Sequence, residues 1–197
     1  MAMVVPNALI LGHWFVRRLK CDLELGFDPR AVSDLNLRGT ASVHLHGVGG
    51  RTVKTLEEND LHVVRDLAPD IVILEIGTNE LSHALPQTVG SQIEEFVRLL
   101  RRDYSVRVIG VCGVIPRGIS VPHAMAFADL ASLLNHYVSI VLEEFPTVFC
   151  WSHAEFNSPH KDLYLRDGVH VNPTGQYLLY RSYRGAIIKG VGLLRDA

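Results

Sequence analysis

Asp167 and His170 stand three residues apart in Leu165-Arg166-Asp167-Gly168-Val169-His170. At that spacing one turn of chain lets a carboxylate orient an imidazole, as a general base requires. Two further segments offer donors for developing negative charge. Gly50, in Gly47-Val48-Gly49-Gly50-Arg51-Thr52, has a backbone N–H that no side chain obstructs; Asn79, in Gly77-Thr78-Asn79-Glu80, has a side-chain amide. Both suit the oxyanion of a tetrahedral intermediate. A third donor is the backbone N–H of Trp14, at the start of a helical segment whose dipole favours negative charge. These are the parts of an acyl-transfer site with one missing, because Leu11-Gly12-His13-Trp14-Phe15 contains no Ser, Thr or Cys.

The elements that must position these residues are legible as an alternation. Short apolar runs occupy Ala8–Leu11, Ala41–His46, Ile71–Ile76, Val106–Cys112 and Thr147–Trp151. They are mostly β-branched or Leu on both faces, the pattern of buried parallel strands. Helix-period segments lie between them at Phe15–Leu25, Val53–Leu67, Thr88–Arg102 and Ala124–Phe145. In the third of these, Ile93, Phe96, Val97 and Leu100 form the apolar stripe and Glu94, Glu95, Arg98, Arg101 and Arg102 the wet side. Asn172 is a good N-cap and Pro173 a good first residue for a last helix running toward Gly190. Five strand–helix units imply right-handed crossovers and a parallel sheet covered on both faces. The expected fold is α/β, a three-layer α/β/α sandwich on a five-stranded parallel sheet, with ligands beyond the carboxyl ends of the strands.

Composition sets the bounds. The chain has 197 residues, 48% hydrophobic and 20% charged, with 19 Lys+Arg against 21 Asp+Glu and a formal charge of −2. That excludes a disordered polyelectrolyte and a strongly basic nucleic-acid binder. A single domain over residues 1–197 is expected, without repeats or linkers. No window reaches the roughly 18 uninterrupted apolar residues of a membrane span. The N-terminus has no basic stretch ahead of an apolar run, so no signal peptide is expected. Cys21, Cys112 and Cys150 are sparse, odd in number and far apart, which favours an intracellular, cytoplasmic setting over a disulfide framework.

In this order the segments resemble the conserved blocks of the SGNH (GDSL-type) hydrolases, named for a Ser, Gly, Asn and His on four separate loops. Gly47–Thr52 resembles the second block, Ile76-Gly77-Thr78-Asn79 the third and Asp167-Gly168-Val169-His170 the last. Val114-Ile115-Pro116-Arg117-Gly118 is similar to the loop after the fourth strand in the platelet-activating-factor acetylhydrolase branch. The resemblance spans Ala8 to about Tyr180 and implies a flavodoxin-like ester hydrolase fold. It assigns His170 as base, Asp167 as its orienter, and Gly50, Asn79 and the Trp14 N–H as the oxyanion hole. Gly12, His13 and Arg117 would line the pocket. The first block departs from the family: where it reads Gly-Asp-Ser, this chain reads Gly12-His13-Trp14, with Trp14 at the nucleophile position. Phe15-Val16-Arg17-Arg18-Leu19 resembles the stretch that follows a Gly-His-Ser variant in esterase-like domains associated with animal retroelements.

Indole carbon cannot attack an ester, and loss of a serine hydrolase nucleophile costs on the order of 10⁶ in rate. The leading expectation is therefore a pseudo-hydrolase that keeps a pocket for a small acyl or acetyl ester, or for a protein partner. One alternative is an active esterase using water or another nucleophile. Ser33 and Ser42 lie outside the strand-end loops, Cys112 reads as a small buried hydrophobe, and His13 as a structural hydrogen-bonding residue. A second alternative is an assembly or nucleic-acid-associated module of a retroelement-type protein, although the near-neutral charge fits an uncharged ester better than a polyanion. Arg17-Arg18 with Lys20, and Arg101-Arg102, read as solvated helix faces. His44 and His46 share one face of a strand but have no third ligand nearby, so neither metal nor cofactor is expected. Homo-oligomerisation is left open.

Overall fold

The computed structural model describes residues 5–157 and 161–196; the first residues, on which the expectation of no signal peptide partly rests, lie outside them. Five parallel strands are ordered β2-β1-β3-β4-β5: β1 (Asn7–Gly12), β2 (Ser42–Gly47), β3 (Ile71–Glu75), β4 (Val108–Cys112) and β5 (Val148–Trp151). The helices that connect and cover them are α1 (Trp14–Glu24), α2 (Val53–Leu67), α3 (Pro86–Tyr104), α4 (Ala124–Val141) and α5 (Pro173–Asp196). This is the three-layer α/β/α sandwich that strand–helix alternation implies.

Period-two alternation sorts the strands between two cores. Ala8, Ile10, Ile71 and Ile73 face one side with Phe15, Leu19, Tyr183 and Ile187 of α1 and α5. Leu9, Leu11, Val72 and Leu74 face the other with Leu56, Phe96, Val97 and Leu134 of α2, α3 and α4. The edge strand β2 is only half-buried, and His44 points to solvent.

Boundaries shift where local chemistry decides them. α3 starts at Pro86, two residues before the expected Thr88, because proline suits a first-turn position that needs no N–H partner. α5 runs through Gly190 to Asp196. Gly190 is a point of close approach, since a Cβ there would come within 2.9 Å of Ile71 Cγ2 on β3. α4 is long and apolar enough to cross a membrane by length and composition, but it exposes Asp129 and His136 on the side away from its buried stripe. Its Phe127, Ala131, Leu134 and Val138 belong to the second core.

Candidate active site

At the carboxyl edge, β1 ends on Gly12, where a Cβ would stand 2.2 Å from the Glu75 carbonyl oxygen. Only glycine lets β1 and β3 close there. His13 follows, 2% exposed, and caps α1 by accepting the Phe15 N–H on Nδ1 at a long 3.5 Å. Trp14 is thus the first residue of α1. Gly12 and His13 are packed into this junction.

The second loop leaves β2 at Gly47, where a Cβ would collide with the Arg17 N at 2.3 Å. The Val48 N–H donates to the Gly12 carbonyl at 3.1 Å, which ties the loop to the first strand end. Gly50 has φ +75° and open space around it. α2 then begins on a capping box in which Thr52 and Thr55 each accept the other's backbone N–H, at 3.2 and 2.9 Å. Arg51 is held by Asp60, two turns into α2: its Nε donates to Asp60 Oδ2 at 2.6 Å, and His46 Nε2 meets Oδ1 at 2.9 Å. Burial pushes the Asp60 carboxyl up, but the bonds from Arg51 and His46 outweigh it and leave it below the usual carboxylate range. His44 bonds Ser42 instead, at 3.2 Å, so the two histidines of that strand share no ligand.

After β3, Gly77 turns the chain with φ +105°. Asn79 follows, and its Nδ2 donates to the Arg51 carbonyl at 2.8 Å. The amide is thereby fixed on the Gly50 loop, with one of its two hydrogens committed and one left for a ligand. Glu80 accepts the Val53 N–H at the start of α2, and burial holds its carboxyl above the ordinary value.

The fourth loop is closed by a bridge between Tyr164 and Val171, and by the Leu165 N–H on the His170 carbonyl at 2.7 Å. Asp167 Oδ1 accepts the N–H groups of Val169 and His170, both at 2.9 Å, and Oδ2 meets His170 Nδ1 at 2.7 Å. Burial would raise the Asp167 carboxyl, yet these three bonds bring it below its usual value. It is an ionised orienter of the imidazole. Asn172 caps α5 through its Oδ1 on the Gly175 N–H at 3.0 Å.

The Trp14 ring reaches His170. The two centroids are 5.1 Å apart at 61°, edge to face, and a Cβ on Gly49 would lie 3.1 Å from Trp14 Cε3. The indole therefore fills the gap between the second loop and the base, with the Arg17 guanidinium 5.4 Å from its centroid. Arg117 turns away: it donates to Ser82 Oγ at 2.6 Å and stacks 4.2 Å over Phe127. The cavity of about 370 Å³ on the β4–β5 side is lined by Ile76, Ile93, Val114, Leu134, Cys112 and His153 among others, without Gly12, His13 or Arg117.

Sequence reasoning missed a buried polar cluster behind the site. Glu75, 2% exposed at the end of β3, accepts Tyr183 Oη and His153 Nε2 on Oε2, both at 2.9 Å. Burial pushes the Glu75 carboxyl up, but His153, His13 and Tyr183 bring it below the usual range. Burial lowers the His13 imidazole despite Glu75, and raises the Cys112 thiol well above a free cysteine. A lone charged residue inside an apolar strand was the available signal.

An Asp–His pair, a glycine loop and a turn asparagine on a five-stranded parallel sandwich fit an esterase-type α/β fold. The chain belongs to the GDSL-like Lipase/Acylhydrolase family, whose pattern matches residues 20–178, beginning just after the Trp14 segment. It is 25% identical over 193 residues to rat platelet-activating factor acetylhydrolase IB subunit alpha1, covering 93% of this chain and 76% of the relative. An acetylxylan esterase from Geobacillus stearothermophilus has the same fold at 16% identity, with a TM-score of 0.67 over 98% of this chain and 97% of that one. A GDSL-like lipase from Bacteroides thetaiotaomicron superposes with a TM-score of 0.68 at 15% identity, covering 96% and 92%.

Proposed function

We propose that this is an ester-hydrolase-fold domain in which the indole of Trp14 takes the place of the nucleophile, leaving a binding module with little or no turnover. The observation that carries the reading is the 5.1 Å edge-to-face contact between Trp14 and His170. The base is held and ionically supported, but what it faces is an aromatic ring. Substitutes are poorly placed. Cys112 is buried with its thiol pushed up, and Ser42 sits at the amino end of β2, bonded to His44. The residual ligand is a small acyl or acetyl ester, consistent with the names of the relatives and with a near-neutral chain.

In the working form of such a site a residue-14 hydroxyl would attack the ester carbonyl. His170 would take its proton on the nitrogen not bonded to Asp167. Gly50, Asn79 and the residue-14 N–H would receive the oxyanion. A fluorophosphonate probe tests the proposal. The wild-type protein should remain unlabelled, and Trp14→Ser should be labelled at position 14. Labelling of the wild type at any defined residue would overturn it in favour of an active esterase with another nucleophile.

A further inference from the structure

We propose that Glu75, Cys112 and His153 form a buried site for one divalent cation of the zinc class, with His13, which stands against Glu75 outside that cluster, turning in as fourth ligand. A ligand atom from each of the first three lies within 4.8 Å of the others, and all three residues are buried. Thiolate, imidazole and carboxylate are the donor types that zinc takes, at ligand–ligand spacings of roughly 3.3–3.8 Å in a tetrahedron.

A second observation lies beside the same cluster, at Glu75. His13 Nε2 is buried with no hydrogen-bond partner, 3.7 Å from Glu75 Oε1. An unpaired imidazole nitrogen in a dry site is costly unless something is there to receive it. Because Nδ1 accepts the Phe15 N–H at 3.5 Å, Nε2 carries the ring hydrogen; on binding the ion that hydrogen moves to Nδ1 and the long contact with Phe15 is given up.

Charge and protons balance. Among the described residues no Lys or Arg pairs with Glu75. A divalent cation would be neutralised by the Glu75 carboxylate and the Cys112 thiolate. The Cys112 S–H bond breaks, its proton leaves to solvent, and a sulfur–metal bond forms. His153 moves its remaining proton to Nδ1, which already sits 2.8 Å from Ser182 Oγ. That oxygen also accepts the Trp151 Nε1–H at 2.9 Å, and its two lone pairs serve both donors. Ser182 thus orients the histidine as an outer partner. Cys112 and His153 also line the 370 Å³ cavity. The four ligands come from the ends of β1, β3 and β4 and the segment after β5, so no spacing motif announces them.

Cobalt(II) tests the site without relying on activity. The whole chain is unfolded in chelator, refolded with excess cobalt and freed of loose metal. One equivalent should remain, with visible d–d bands and a near-ultraviolet thiolate-to-cobalt band. The thiolate band should survive Cys21→Ser/Cys150→Ser and vanish in Cys112→Ser. Ser182→Ala should weaken binding by roughly 10–100-fold. Folded wild-type protein without the thiolate band, or cobalt retained in Cys112→Ser/His153→Gln and lost in His46→Ala/His62→Ala, would overturn the proposal.

Discussion

At the residue scale the account turns on what Trp14 withholds. The dyad beside it is built to function: Asp167 accepts three bonds within its own turn, two from backbone and one from His170. In a Trp14→Ser background, Asp167→Asn should therefore lower ester turnover by about 10³–10⁴-fold, read as kcat/KM, because the imidazole loses its orienter and its tautomer control. The same geometry fixes a sign with pH. The native Asp167 carboxyl lies below its ordinary value of about 4, so its ionisation is complete above that pH and contributes no loss of rate between pH 5 and 9. Asp167 and His170 were readable in the chain because their partnership is local, three residues long. Glu75 with His153, and Asp60 with Arg51, were not, because those pairs are made by the fold.

At the element scale the site depends on strand ends that close tightly and a loop that is clamped. Gly12→Ala would drive a methyl group into the Glu75 carbonyl oxygen and should cost about 3 kcal/mol by chemical denaturation, with loss of the β1–β3 register at that end. The clamp on the Gly50 loop is Asp60. Asp60→Asn should destabilise by about 2 kcal/mol, since Arg51 and His46 lose a charged acceptor. The sign with pH is fixed by the depressed native carboxyl. Its contribution is complete above the unfolded value near 4 and disappears as pH falls through the lower native value. The acid limb of the wild-type stability curve should accordingly flatten in Asp60→Asn. Strands and helices were legible to within a few residues because periodicity marks burial. Their exact ends were not, since Pro86 and Gly190 act through backbone chemistry and close approach that apolar periodicity does not report.

For the whole molecule, two cores share one sheet. Alternate residues of β1 and β3 enter opposite sides, so neither core can loosen without the other. Phe96→Ala on one side and Ile187→Ala on the other should each lower stability, by about 3–5 and 2–5 kcal/mol. Both should leave a single transition, coincident by near- and far-ultraviolet circular dichroism. Two separated transitions would contradict a single cooperative domain. The alternation of runs and helices carried this architecture plainly. What it did not carry is the edge-to-face packing of the Trp14 ring on His170.

The most direct measurement is hydrolysis of p-nitrophenyl acetate by wild type, Trp14→Ser and Trp14→Ser/His170→Ala, each confirmed as folded. The wild type should match the buffer rate within about tenfold, well short of the roughly 10⁶ that a nucleophile contributes. Trp14→Ser should gain turnover that His170→Ala removes. Wild-type turnover equal to that of Trp14→Ser, and abolished by His170→Ala alone, would contradict the account.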